Sequence, residues 1–309
     1  MKKLAFIFPG QGSQRVGMGK SLAENYAVAA RIFQEADEIL GINLSQLCFE
    51  GPEEKLRRTE YTQVAVLTCS VATLRVLQEK GLLYEVVAGH SLGEYSALIA
   101  CCSLSFEDGL KLVQHRATFM EEASQKQASG MIAVLGLDAP KLTAICEEVS
   151  GTNGVVQIAN YNCPGQLVIA GGTKALEKAI ALAEASKAKC RTLPVNGAFH
   201  SDLMKPAAEN LKKVIKDFSI SKPEIKFIAN VTGDYIHKPG QIREILIAQV
   251  TSPVQWEASV RLMINSGVTT FIEVGPGKVL SGLVRRIDGK VETLNVETSA
   301  DVENVLSKT

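Results

Sequence analysis

Glu85-Val86-Val87-Ala88-Gly89-His90-Ser91-Leu92-Gly93-Glu94-Tyr95 is the stretch that decides the fold. Residues 85–89, apolar from Val86 onward and ending in glycine, predict a short strand, and the run from Ser91 to Cys102 predicts a helix. Between them lies Gly-x-Ser-x-Gly, whose glycines let the chain turn sharply and lift a serine hydroxyl clear of the sheet. At a helix start the free backbone N–H groups and the dipole favour negative charge. On these residues alone Ser91 is either a nucleophile or a plain N-cap.

Working outward, residues 3–8 read as a first strand and 60–80 as a long helix, with Val64, Leu67, Val71, Leu74 and Leu77 at three- and four-residue steps and Gly81 just past its end. A further helix is predicted from Phe106 to about Glu122, so strand and helix alternate as in an α/β protein with a parallel sheet. Between 128 and 197 the texture changes. Strand-like Met131 to Leu137, helical Pro140 to Val149, strand-like Val155 to Ala159 and Gln166 to Ala170, helical Lys174 to Lys187 and strand-like Arg191 to Val195 give the order β-α-β-β-α-β. A helix at Leu203 to Phe218, a strand at Ile225 to Val231, helices near 240–250 and 254–265, and a strand Thr270 to Val274 turning through Gly275-Pro276-Gly277 into another helix complete the pattern. The expected fold is a hydrolase-like α/β domain with a parallel sheet (1–127 and 198–309) carrying an inserted ferredoxin-like α+β domain (128–197).

Composition bounds the function. Lys plus Arg and Asp plus Glu each number 33 in 309 residues, so no excess charge points to nucleic acid or an anionic membrane. The first apolar stretch, Leu4 to Phe8, falls short of the about 7 to 15 residues of an export signal. Nothing else approaches the ~20 apolar residues that span a bilayer. Seven scattered cysteines with no Cys-x-x-Cys argue against a disulfide framework or a zinc knuckle, and fit a reducing cytoplasm.

A serine nucleophile needs a base, and there are four histidines. His90 adjoins Ser91 on a tight turn and points away from it, His115 lies mid-helix, and His237 sits in a polar loop beside Lys238-Pro239. His200, where the small domain returns the chain to the large one, is a cleft-edge candidate in the Ser-before-His order of nucleophiles on α/β sheets. The oxyanion donors would be the backbone N–H of Leu92 and, from the glycine-bearing loop after the first strand, that of Gln11. A nucleotide reading of that loop fails, because Arg15 stands where a dinucleotide fingerprint needs glycine and no Gly-Lys-Ser/Thr follows.

Taken together, Phe8-Pro9-Gly10-Gln11-Gly12-Ser13-Gln14, Gly89-His90-Ser91-Leu92-Gly93-Glu94-Tyr95, Asn160-Tyr161-Asn162-Cys163-Pro164-Gly165-Gln166, Gly197-Ala198-Phe199-His200-Ser201, Ser252-Pro253-Val254-Gln255-Trp256 and Ile272-Glu273-Val274-Gly275-Pro276-Gly277 resemble the malonyl-CoA:acyl-carrier-protein transacylases of fatty acid synthesis. The resemblance implies that Ser91 takes a malonyl group from coenzyme A and passes it to the phosphopantetheine thiol of acyl carrier protein, with His200 as base and then acid and no cofactor. It further implies that a main-chain carbonyl at Gln249 orients the histidine; outside the resemblance, a glutamine there reads as surface. Arg116 matches the arginine that pairs with the malonate carboxylate. It also stands beside the apolar stripe of Leu112, Val113 and Met120, where a guanidinium needs a carboxylate, an internal Asp or Glu, or a route to solvent for its tip. Met120, Asn160, Asn162 and Phe199 are the remaining substrate-binding candidates, Phe199 resembling the residue associated with malonyl preference. The carrier implies a basic surface near the cleft. A serine hydrolase or thioesterase acting on short acyl-CoA is the alternative, because the same nucleophile, base and oxyanion hole serve both chemistries.

Overall fold

The computed structural model describes residues 2–309. Strand β1 (Leu4–Phe8) leads through four helices, α1 (Lys20–Asn25), α2 (Ala27–Leu40), α3 (Leu44–Glu50) and α4 (Glu53–Leu56), to the long α5 (Thr59–Glu79). Then follow β2 (Val86–Gly89), α6 (Gly93–Ala100) and α7 (Phe106–Ser124). The next segment comprises β3 (Ser129–Leu135), α8 (Ala139–Asn153), β4 (Val156–Cys163), β5 (Gln166–Gly172), α9 (Thr173–Ala185) and β6 (Lys189–Thr192). The chain closes with α10 (Lys205–Val214), β7 (Lys226–Ile228), α11 (Pro239–Gln249), α12 (Trp256–Asn265), β8 (Thr270–Val274), α13 (Val279–Ile287), β9 (Glu292–Val296) and α14 (Ser299–Leu306).

The large sheet is parallel with order β7-β2-β1-β8-β9. A parallel sheet is covered on both faces, so its strands read as continuous apolar runs, as Leu4-Ala5-Phe6-Ile7-Phe8 does. Leu4, Phe6 and Phe8 pack into the cluster that contains Val64 and Leu67 of α5; Ala5 and Ile7 face Trp256 and Val260 of α12 and Leu280 and Leu283 of α13. The smaller sheet is antiparallel with order β4-β5-β3-β6, the ferredoxin-like arrangement, and α8 and α9 pack on one face through Leu142, Val149, Leu176 and Ala179. Its edge strand β4 is tied to the segment before α12: the Tyr161 N–H donates to the Val254 carbonyl, and the Val254 N–H to the Ala159 carbonyl, each at 2.9 Å.

The structure departs from the sequence reading in places with clear causes. The helix expected from Ser91 begins at Gly93, because Ser91 has φ 52° and is left-handed, not helical. The strand expected at Arg191 to Val195 is Lys189–Thr192; Leu193 makes one last bond, its N–H to the Met131 carbonyl of β3 at 3.0 Å, and Leu193 and Val195 line the cleft described below. The single helix expected over Leu203 to Phe218 is a 3₁₀ turn, α10 and a second 3₁₀ turn, with Pro206, which has no N–H to donate, in the first turn of α10.

Candidate active site

The elbow after β2 is held by close backbone approach. A Cβ on Gly89 would lie 1.9 Å from the Gly93 carbonyl, and one on Gly93 would lie 2.0 Å from the carbonyl oxygen of Phe8, so both positions must be glycine. Ser91 takes the strained left-handed backbone between them, the arrangement in which a side chain projects from the turn. Asn230, just beyond β7, accepts the Ser91 N–H on its Oδ1 at 2.7 Å and donates from Nδ2 to the Gly89 carbonyl at 2.6 Å. The nucleophile is thereby fixed at the carboxyl ends of adjacent parallel strands, where open α/β sheets bind ligands.

His200, also left-handed at φ 59°, brings Nε2 to 2.8 Å from Ser91 Oγ. Its Nδ1 lies 2.7 Å from the Gln249 carbonyl and 3.2 Å from that of Ser252. Carbonyls only accept, so Nδ1 carries the hydrogen and the Nε2 lone pair receives the serine proton. Burial, then the nearby Arg116 charge, depress the imidazole to about 3, which keeps it neutral and competent as a base. The other three histidines stay away from this role. His90 bonds through Nε2 to Asn162 Oδ1 at 2.9 Å, His115 stacks on Phe119, and His237 is exposed beside Tyr235.

Arg116 is only 1% exposed, yet among the described residues no carboxylate lies within ion-pair distance of it. Neither an internal acid at contact nor a solvent-reaching tip accounts for it. Nη1 donates to Gln63 Oε1; Nη2 donates to Gln249 Oε1 at 3.0 Å and to Ser91 Oγ at 3.1 Å; the guanidinium lies over the Tyr95 ring, 5.6 Å from its centroid. Nε has no partner. An uncompensated buried cation costs several kcal/mol, about what an anionic ligand beside Ser91 would recover.

A cleft of about 230 Å³ opens between the two sheets. Eight of the ten residues singled out from sequence line it: Ser91, His200, Gln11, Arg116, Met120, Asn160, Asn162 and Phe199. Leu92 and Gln249 lie behind it, both fully buried. The reading of Gln249 as a surface residue is therefore wrong; α11 turns this side chain inward, where its Nε2 donates to the Ser91 carbonyl at 2.8 Å and to Glu94 Oε2. The backbone N–H groups of Gln11 and Leu92 donate to no other atom among the described residues, which leaves both free for an oxyanion. Asn160 Nδ2 is buried without a partner. Met120 Sδ lies 3.7 Å from Gln63 Nε2, on the same side as Arg116.

Sequence reasoning missed Gln63, Asn230 and the Ser252 carbonyl, and quoted Glu94 without a role. Gln63 carries a readable signal: it lies four residues before Leu67 and eight before Val71, on the buried stripe of α5, where a lone amide needs a polar partner. Glu94 is fully buried, which raises its carboxyl to about 8 against the opposing bonds from Asn230 and Gln249 and the Arg116 charge.

A carbonyl carbon next to Ser91 Oγ meets a nucleophile, a neutral base and two free N–H donors, the equipment of acyl transfer. The chain belongs to the acyl transferase domain family, whose sequence model matches residues 5–301. It is similar to the malonyl CoA-acyl carrier protein transacylase of Bacillus subtilis (strain 168), 48% identical over 305 residues covering 98% of this chain and 96% of that protein. The enzyme of the same name from Escherichia coli (strain K12) is 43% identical over 95% of this chain and 94% of its own length. Among solved structures, the malonyl CoA-acyl carrier protein transacylase from Clostridium perfringens ATCC 13124 superposes with a TM-score of 0.96 at 43% identity, covering 99% of this chain and 96% of that one. A malonyl-transacylase in complex with its type II PKS acyl-carrier protein superposes with the same score at 38% identity, covering 99% and 100%.

Proposed function

We propose that this acyltransferase moves a malonyl group from malonyl-CoA to the phosphopantetheine thiol of acyl carrier protein through an ester on Ser91. The observation that carries the reading is Arg116, a buried guanidinium with no carboxylate of its own, 3.1 Å from the nucleophile. A malonyl group is an acyl chain with a carboxylate one carbon from the reacting carbonyl, so it reaches both.

In the first half-reaction Ser91 Oγ attacks the thioester carbonyl and its proton passes to His200 Nε2. The N–H groups of Gln11 and Leu92 hold the oxyanion, the carbon–sulfur bond breaks, and coenzyme A leaves as the thiol with the proton from His200. In the second, the carrier thiol gives its proton to His200 and attacks the ester; Ser91 leaves with that proton. The thioester is already activated, so these steps call on no group beyond the two thiol carriers and the side chains and N–H groups named. Met120 and Phe199 bound the acyl chain, and Asn160 and Asn162 supply polar contacts to the donor.

We place the reaction in the cytoplasm, where the carrier thiol and the coenzyme A released both stay reduced. All seven cysteines are unpaired, and among the described residues no helix is long and apolar enough to cross a membrane. The hydrolase reading is not favoured, since the relatives that match over nearly the full chain are named transacylases.

Initial rates with malonyl-CoA varied at several fixed carrier concentrations are expected to give parallel double-reciprocal lines. Intersecting lines would contradict the acyl-enzyme route, and free malonate released faster than malonyl-carrier forms would favour hydrolysis.

A further inference from the structure

Glu94 takes no part in the steps above, yet it is the carboxyl group bonded to the residues that hold the site together. One oxygen accepts the Asn230 backbone N–H at 2.8 Å, and the other accepts from Gln249 Nε2. Gln249 is the hub. Its main-chain carbonyl orients His200, its Nε2 also donates to the Ser91 carbonyl at 2.8 Å, and its Oε1 accepts from Arg116 Nη2 at 3.0 Å.

An amide side chain has two ends of similar shape and opposite chemistry. Turned over, Gln249 would set its NH₂ against the guanidinium and its oxygen against both the Ser91 carbonyl and Glu94. With both oxygens accepting, the carboxylate form of Glu94 excludes that orientation. The arrangement also keeps the acid one amide away from Arg116. The guanidinium is held by an acceptor on each side, from Gln63 and Gln249, without a carboxylate at contact that would compete with an incoming anion.

We propose that Glu94 is a positioning residue for acyl-carboxylate recognition, fixing the Gln249 amide so that its oxygen aims Arg116 at the acyl group on Ser91. This rests on the malonyl reading given above. It also separates two functions of Gln249: the main-chain carbonyl serves the base, and the side chain serves selectivity.

The test compares malonyl-CoA with acetyl-CoA as donors to carrier protein. Glu94→Gln keeps the shape but puts a donor where one of two acceptors is needed. It is expected to lower kcat/KM for malonyl-CoA about ten- to hundredfold, through KM, while acetyl transfer changes less than about threefold. Gln249→Met removes the amide and keeps the carbonyl that orients His200. It is expected to lose the same selectivity, and adding Glu94→Gln to it should cost nothing more, since the two act through one link. Should Glu94→Gln fail to fold, Glu94→Asp, which draws the carboxylate back from the Gln249 amide, is read by the same donor ratio. Equal losses for both donors, or an unchanged malonyl-to-acetyl ratio in the variants, would overturn the proposal. Absence of malonyl transfer by the unmodified enzyme would instead overturn the malonyl reading itself.

Discussion

His200→Asn is expected to slow malonyl transfer by roughly 10²- to 10⁴-fold, the usual contribution of a positioned general acid–base, with little change in the affinity for malonyl-CoA. Asparagine is chosen because residue 200 sits at φ 59°, a conformation it tolerates better than alanine. The loss then reports on proton transfer and not on backbone strain. The same histidine sets the pH profile. Its proton affinity is depressed to about 3 by burial and by Arg116, and the base acts in its neutral form, so activity is lost only as pH falls through the folded-state value. Because kcat/KM reports on the free enzyme, and because acetyl-CoA carries no carboxylate for the Glu94-positioned Arg116 to recognise, kcat/KM for acetyl-CoA is the clean probe and is expected to stay flat from pH 8 down to about pH 5. A bend near the ordinary imidazole value of about 6.5 would contradict the depression that burial and Arg116 impose. The stability sign runs the same way: the unfolded chain takes up this proton below about pH 6.5, so stability drains away as pH falls from there toward the folded value. Rates at low pH therefore call for brief pH jumps.

Arg116→Ala is expected to reduce kcat/KM for malonyl-CoA by roughly 10²- to 10⁴-fold, the range spanned by the about 3–5 kcal/mol lost when one partner of a buried charge pair is removed. Acetyl-CoA, which has no second carboxylate, should lose far less or gain, since an unneutralised cation is taken out of its path. Donor competition read as malonyl- against acetyl-carrier checks this. Equal losses for the two donors would remove Arg116 from carboxylate recognition and leave it a support for Ser91 and Gln249.

Much of this site was legible because its chemistry restricts which residues can serve. Ser91 stands in a motif that only a strand-to-helix turn makes meaningful, and the glycine contacts at 1.9 and 2.0 Å show why that motif cannot vary. His200 was reachable by elimination among four histidines. Gln249 was not reachable from its own residue type, because its service to His200 is through a main-chain carbonyl that any residue carries. Asn230 lies just past β7, a strand that becomes the neighbour of β2 only through the sheet order β7-β2-β1, which no local pattern announces. The early helices divide in the same way. α2 went unread although it carries a helical period in Ala29, Ile32, Phe33 and Ala36, whereas α1, α3 and α4, of six, seven and four residues, are too short for periodicity to show. The ferredoxin-like order was readable because β3 to β6 alternate with two long amphipathic helices; the exit of Leu193 and Val195 into the cleft depends on tertiary packing.

The central claim is that the acyl group rests covalently on Ser91. Rapid acid quench of the enzyme mixed with malonyl-CoA, without carrier protein, followed by intact-mass and peptide analysis, tests it most directly. A single malonyl adduct is expected on the peptide containing Ser91, discharged on adding carrier protein and missing from Ser91→Ala. An adduct that persists in Ser91→Ala, or transfer to carrier with no adduct at the shortest times, would contradict it.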